Sequence, residues 1–196
     1  MKQVNLNKWI LHQKKKNLMQ ISKINILDVL NWKIEDKKIY NRNKNFFSIV
    51  PFQFKKNKNI LWFQPLIVQK EVGILGIIKK VYKSIDYYLL QAKVEPGNTK
   101  GIQLSPTVQA TKSNYLRKKK RKKTNYLNFF IRKNLKIKTI TNLRLSEQGT
   151  RYFNKSNNNI LVDLKNQKIK KLNNYIRLTK KNLEYLLKKK NLLNMN

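Results

Sequence analysis

All four prolines of this 196-residue chain lie between positions 51 and 106, and all five glycines between 73 and 149. Tight turns and close backbone approaches depend on those two residue types. Elaborate folding is therefore confined to the middle of the chain, and a sheet core is expected over 46–165. Residues 1–45 read as a helical or irregular lead-in. There "LNKWILHQKKKNLMQ" sets Leu6, Trp9, Ile10 and, less well, Leu11 on one side of a helix, and "INILDVLNW" adds a second apolar segment. Residues 175–196 read as an amphipathic helix with Thr179 as its N-cap and Leu183, Leu186 and Leu187 as its buried stripe. One domain over 1–196 is the expectation, and the length suffices for a real core.

Within the centre, "LWFQPLIVQKEVGILGIIKKVY" reads as one or two strands, and "KSID" as a turn. "IDYYLLQAKVEPG" is then a strand ended by Pro96-Gly97. Its period of two puts Tyr88, Leu90, Ala92 and Val94 on a core face, and Tyr87, Leu89, Gln91, Lys93 and Glu95 on the other. "GIQLSPTVQATKSNY" repeats the device. Thr107, Gln109, Thr111 and Ser113 share a face opposite Val108 and Ala110. Phe129 and Phe130 form an aromatic anchor, Gly149 marks a turn, and Ile160–Leu164 is a strand.

Charge is the largest compositional signal: 45 Lys+Arg against 9 Asp+Glu, net +36. The cations are 38 Lys and only 7 Arg, beside 27 Asn and 20 Ile. Lys, Asn and Ile share AT-rich codons, so exposed positions here record nucleotide drift. A dedicated nucleic-acid surface favours Arg for its bidentate fork. Non-specific, salt-dependent attraction to polyanions is expected; "RKKKRKK" (117–123) reads as a solvated loop. Against that background the stretch 91–117 stands apart. Where drift should have left Lys and Asn, it holds mostly Gln, Ser and Thr, which points to a binding surface.

With no cysteine and only His12, disulfides, thiolate chemistry and the usual zinc spacings are absent. No metal site is expected. "MKQVNLNKWILHQKKK" has no apolar signal region, and the longest apolar run, "VGILGII", is far short of a membrane span of roughly 20 residues. A cytoplasmic protein without a membrane partner is expected.

The segments "WFQPLIVQKEVGILG", "QAKVEPGN", "QLSPTVQATKSNYLR" and "SEQGTRYFNKSNNNILV", in that order, closely resemble the NDP-hexose 2,3-dehydratase family. "FFSIVPF" and "LTKKNLEYLLKKKNLLNMN" fit it more loosely. The resemblance implies an α+β fold with a Nudix-like mixed or antiparallel sheet flanked by helices. It also implies a homodimer, no cofactor, and a substrate of the dTDP-4-keto-6-deoxyglucose type, which loses water across C2 and C3. Family members carry two copies of the domain, and this chain carries one. The same resemblance, with the residue chemistry, nominates Glu95 first and Glu147 second as proton-transfer carboxylates. Lys93 would polarise O4 or bind phosphate, and Tyr115 would donate a proton or stack on the base. Arg117 and Arg151 would hold the diphosphate, with Gln91, Gln109, Ser113, Asn114 and Gln148 as hydrogen-bonding wall. A non-catalytic nucleotide-sugar-binding remnant and a basic nucleic-acid-binding protein are the alternative readings.

Overall fold

The computed structural model describes residues 5–43, 47–98, 101–115, 124–131, 137–165 and 167–194, with backbone only at 114 and 115. It has the expected α+β character, with two sheets and few helices. The first sheet has the order β1 (Trp32–Glu35), β2 (Lys38–Asn41), β3 (Ser48–Lys56), β4 (Asn59–Val68) and β10 (Tyr152–Phe153). In the second, β12 (Tyr175–Thr179), β6 (Ile85–Val94), β5 (Gly73–Tyr82), β11 (Ser156–Asp163) and β9 (Lys138–Ser146) lie side by side. Two short strands, β7 (Ile102–Ser105) on β6 and β8 (Val108–Ala110) on β5, complete it.

β5 and β6 form a hairpin through the two-residue turn Lys83–Ser84, both at positive φ, as hairpin twist requires. They stay paired only from Tyr82↔Ile85 to Ile78↔Leu89. Beyond that point they part, and the bent strand β7–Pro106–Thr107–β8 fills the gap. β7 pairs with β6 at 91–94, and β8 with β5 at 74–76. At the apex the Thr107 hydroxyl accepts from the Ile78 N–H at 3.0 Å and donates to the Leu89 carbonyl. Thr107 is wholly buried, so this residue, expected on a polar face, is a structural rivet.

The second sheet is covered on both faces. Ile74, Ile78, Leu89, Val108, Val162, Leu164 and Tyr175 form one core, against which Phe129 and Phe130 pack from α3 (Asn128–Ile131). Gly76 leaves room for Phe130, because a β-carbon there would lie 2.4 Å from the ring. Leu90, Ala92, Ile102, Leu104, Ile176 and Leu178 form the other core, closed by α1 (Leu6–Lys16) and α4 (Lys180–Leu187). Burial pushes the Tyr175 phenol up to about 12, with Tyr126 contributing and Asn125 opposing. Leu89 is buried too, so neither face of β6 is a plain solvated one.

Several expectations need correction. The lead-in contains α1 as expected, but also the hairpin β1–β2, which extends the first sheet. The alternation in "WKIEDKKIY" escapes a helical reading because its polar positions are filled by the same Lys that fills helices here. The sheet also runs past 165, since β12 takes Tyr175–Thr179 from the expected terminal helix. Thr179 does cap α4, in a reciprocal pair with Asn182, and Leu186 is buried. Leu187 is 73% exposed, because one residue beyond Leu186 it has turned about 100° around a two-turn helix.

Candidate active site

The divergence of β5 and β6 opens a cleft of about 180 Å³ beside β8. Its lining includes Lys93, Gln109 and Thr111 on one side, and Glu147, Tyr152, Lys155 and Asn157 on the other, with Gln69 and Gly73–Leu75 between. β6 and β8 supply the first group. The turn after β9, together with β10 and the start of β11, supplies the second.

On the β6 side, Lys93 Nζ lies 2.7 Å from Glu95 Oε1 and donates to Gln109 Oε1 at 2.9 Å. Gln109 Nε2 reaches Glu95 Oε1 at 3.5 Å, and Asn194 Nδ2 donates to Glu95 Oε2 at 2.6 Å. Lys93 and Gln109 line the cleft, whereas Glu95 stands behind them as their counter-charge. The period-2 pattern of β6 and the register with β7 and β8 bring these three together as expected. Gln91 does not join them. It sits two residues back along β6, between Ser105 of β7 and Tyr175 of β12, outside the lining.

On the opposite side Glu147 lines the cleft. Asn157 Nδ2 donates to Glu147 Oε2, while Asn157 Oδ1 accepts from the Gly73 N–H at 3.1 Å. A β-carbon at Gly73 would fall 2.6 Å from that Oδ1, so glycine there is what lets the carboxamide orient Glu147. Burial first, then Glu147, pushes the Tyr152 phenol above its ordinary value; Arg151 opposes and Glu95 adds, so the ring senses both carboxylates. Lys155 is only 6% exposed. Its ammonium donates to the Glu71 carbonyl. Burial pulls it below the ordinary lysine range, opposed by Glu147 and then Glu71.

The remaining candidates divide. Ser113 does not line the cleft. Its N–H and hydroxyl donate to Glu71 Oε2 at 3.1 and 2.8 Å, tying the start of α2 (Lys112–Tyr115) to the β4–β5 connection. Gln148 closes the turn, its carbonyl accepting from the N–H groups of Arg151 and Tyr152 at 3.0 and 2.9 Å. Arg151 is exposed on that turn. The side chains of Asn114 and Tyr115, Arg117 and the run 117–123 lie outside the described residues.

Sequence reasoning missed Glu71, Tyr152, Lys155 and Asn157. Lys155 and Asn157 are one of 38 Lys and one of 27 Asn, and nothing local marks them. Glu71 was findable. Acids are scarce in this chain, and three of the nine (Glu71, Glu95, Glu147) gather around one cleft.

A family model described as NDP-hexose 2,3-dehydratase matches residues 3–196. A dTDP-4-dehydro-6-deoxy-alpha-D-glucopyranose 2,3-dehydratase of Saccharopolyspora spinosa is 31% identical over 191 residues, 95% of this chain and 39% of the relative. Proteins of the same description from Amycolatopsis orientalis and Streptomyces violaceoruber are 34% and 31% identical, each over 79% of this chain and 35% and 36% of their own length. The chain thus spans little more than a third of the curated relatives it matches.

Proposed function

The chain belongs to the NDP-hexose 2,3-dehydratase family, and from that premise we propose that its cleft removes water across C2–C3 of a dTDP-linked 4-keto-6-deoxyhexose. The observation that carries the proposal is the pairing of an oriented carboxylate, Glu147, with the ammonium of Lys93 across one cleft. The C4 ketone acidifies the C3 proton, and Glu147 takes it. Lys93, held by Glu95 and Gln109, protonates the departing C2 hydroxyl. The C2=C3 enol that results tautomerises to a 3,4-diketone. In this reading the sequence ranking of the carboxylates is reversed: Glu147 faces the sugar, and Glu95 acts through Lys93. Arg151 and Arg117 are proposed diphosphate ligands, with Tyr115 and Asn114 on the nucleotide side. The reaction as written consumes no cofactor.

Among the described residues no helix is long and apolar enough to cross a membrane. A cytoplasmic location is part of the proposal, because that is where nucleotide sugars are made. The net charge of +36 attracts nucleic acid only as a polyanion. A homodimer is proposed on the apolar surface of β4. This strand meets β10 only at Ile67 and Val68, and it leaves Ile60, Leu61, Trp62 and Phe63 each at least half exposed. Sedimentation velocity is expected to show a dimer that Trp62→Lys dissociates; a wild-type monomer at micromolar concentration removes this part of the reading.

The reaction is tested with dTDP-4-keto-6-deoxyglucose in deuterated buffer, following C2 and C3 by NMR. Loss of the C2 hydroxyl is the expected result. Binding of dTDP without exchange at C3 or water loss would identify a non-catalytic nucleotide-sugar binder instead.

A further inference from the structure

The resemblance offers Lys93 for polarising O4 or binding phosphate, but in the structure its charge is already engaged. Lys93 Nζ sits 2.7 Å from Glu95 and donates to Gln109. An ammonium already paired with a carboxylate offers little to a second anion. The other cation in the lining is Lys155. It stands one residue ahead of β11, almost wholly buried, and its hydrogen bond goes to a neutral acceptor, the Glu71 carbonyl. No carboxylate lies within ion-pair distance of it among the described residues. A buried charge without a direct ion-pair partner is costly to keep. Groups of this kind, set in a cleft, mark functional positions.

Resting on the dehydratase reading above, we propose that Lys155 is the catalytic cation that receives the oxyanion formed on C4 of the sugar. As the C3–H bond breaks, its proton goes to Glu147. Its electron pair forms the C3–C4 double bond, and the C4–O π pair moves onto O4. The Lys155 ammonium donates a hydrogen bond to that O4 and keeps its own proton. The O4 pair then restores the ketone while the C3–C4 pair shifts to C2–C3 and expels the C2 hydroxyl, which takes a proton from Lys93 and leaves as water. Tyr152, on the same wall, stays a neutral phenol because burial and Glu147 hold its proton.

This role has a pH signature. The groups around Lys155 are Glu71 on the β4–β5 connection, Glu147 on the turn after β9, Tyr152 on β10, and the Lys93–Glu95 pair across the cleft. Burial outweighs the two acids and sets Lys155 below the ordinary lysine value. The active form is charged, so the rate is full below that pKa and falls as pH rises through it.

The test compares wild type, Lys155→Met and Lys155→Arg for C3 exchange and water loss across pH, with dTDP affinity by calorimetry and Tm for each. Lys155→Met is expected to lose about 10²–10³-fold in rate, the usual loss for one oxyanion donor. Its dTDP affinity should be unchanged, and its Tm no lower than wild type, since an apolar side chain of similar length replaces a desolvated charge. Lys155→Arg should keep part of the rate and lose the alkaline fall, because guanidinium does not titrate there. A Met variant as fast as wild type, or an Arg variant with the same alkaline limb, overturns the assignment while the dehydratase reading stands. A wild type that neither exchanges C3 nor loses water brings down that reading, and this inference with it. Should the Met variant fail to fold, the Arg pH profile decides alone.

Discussion

Thr107→Val is expected to lower the stability of the fold by about 2–6 kcal/mol, the sum for two buried polar groups at ~1–3 kcal/mol each. The substitution keeps the shape and removes only the hydroxyl. That hydroxyl accepts from Ile78 N–H and donates to the Leu89 carbonyl where β5 and β6 part. No water can substitute, because Thr107 is 0% exposed and Ile78 and Leu89 are 1% and 2%. For a chain of this length, at about 2–4 °C per kcal/mol, the loss corresponds to a fall in Tm of about 4–24 °C, readable by thermal melting or urea unfolding. A valine variant that melts with wild type would mean the two strands close on each other without the rivet. The cleft, which exists because they stay apart, would then narrow.

Glu147→Gln is expected to cut C3 exchange and water loss by about 10²–10⁴-fold, the range for a positioned general base. The substitution is informative because it leaves the shape alone. Asn157 Nδ2 donates to Glu147 Oε2, and the glutamine carbonyl can accept the same hydrogen bond. Folding and dTDP binding should therefore persist. Glu95→Gln should act more weakly and differently: Lys93 loses its charged partner and is held by Gln109 alone, so water loss should slow while C3 exchange persists. The opposite outcome, with Glu95→Gln abolishing C3 exchange and Glu147→Gln sparing it, would return the base to the β6 side and make Glu147 part of the wall.

Legibility in the sequence followed the range of the interaction. β6 was readable because a period of two is written in consecutive residues, so Lys93 and Glu95 were correctly put on one face. Thr179 was readable as a cap because its partner, Asn182, is three residues away. Gln109 was placed with Lys93 because both strands are marked by unusual composition. What escaped depends on pairings remote in the chain. Lys155 reaches Glu71 across 84 residues, as Gly73 reaches Asn157. Asn194 reaches Glu95 across 99. In a chain whose surface has drifted to Lys and Asn, a functional Lys or Asn has no local signature, and only its burial gives it away.

By itself, then, the sequence determined the mixed fold, several of its central strands, the family, and the β6–β8 half of the cleft. Each rests on periodicity, turn residues or ordered motifs that need no knowledge of distant contacts. The tertiary structure alone decided that β5 and β6 diverge, that Thr107 is core, and that Gln91 lies outside the cleft. It also put Glu147 rather than Glu95 in the lining, and placed there with Lys93 a buried Lys155 that has no ion-pair partner among the described residues. The physical reason is the same throughout. Alternation says which face of a strand a residue takes, but the splitting of a sheet, and the burial and charge balance it creates, are set by which strands meet.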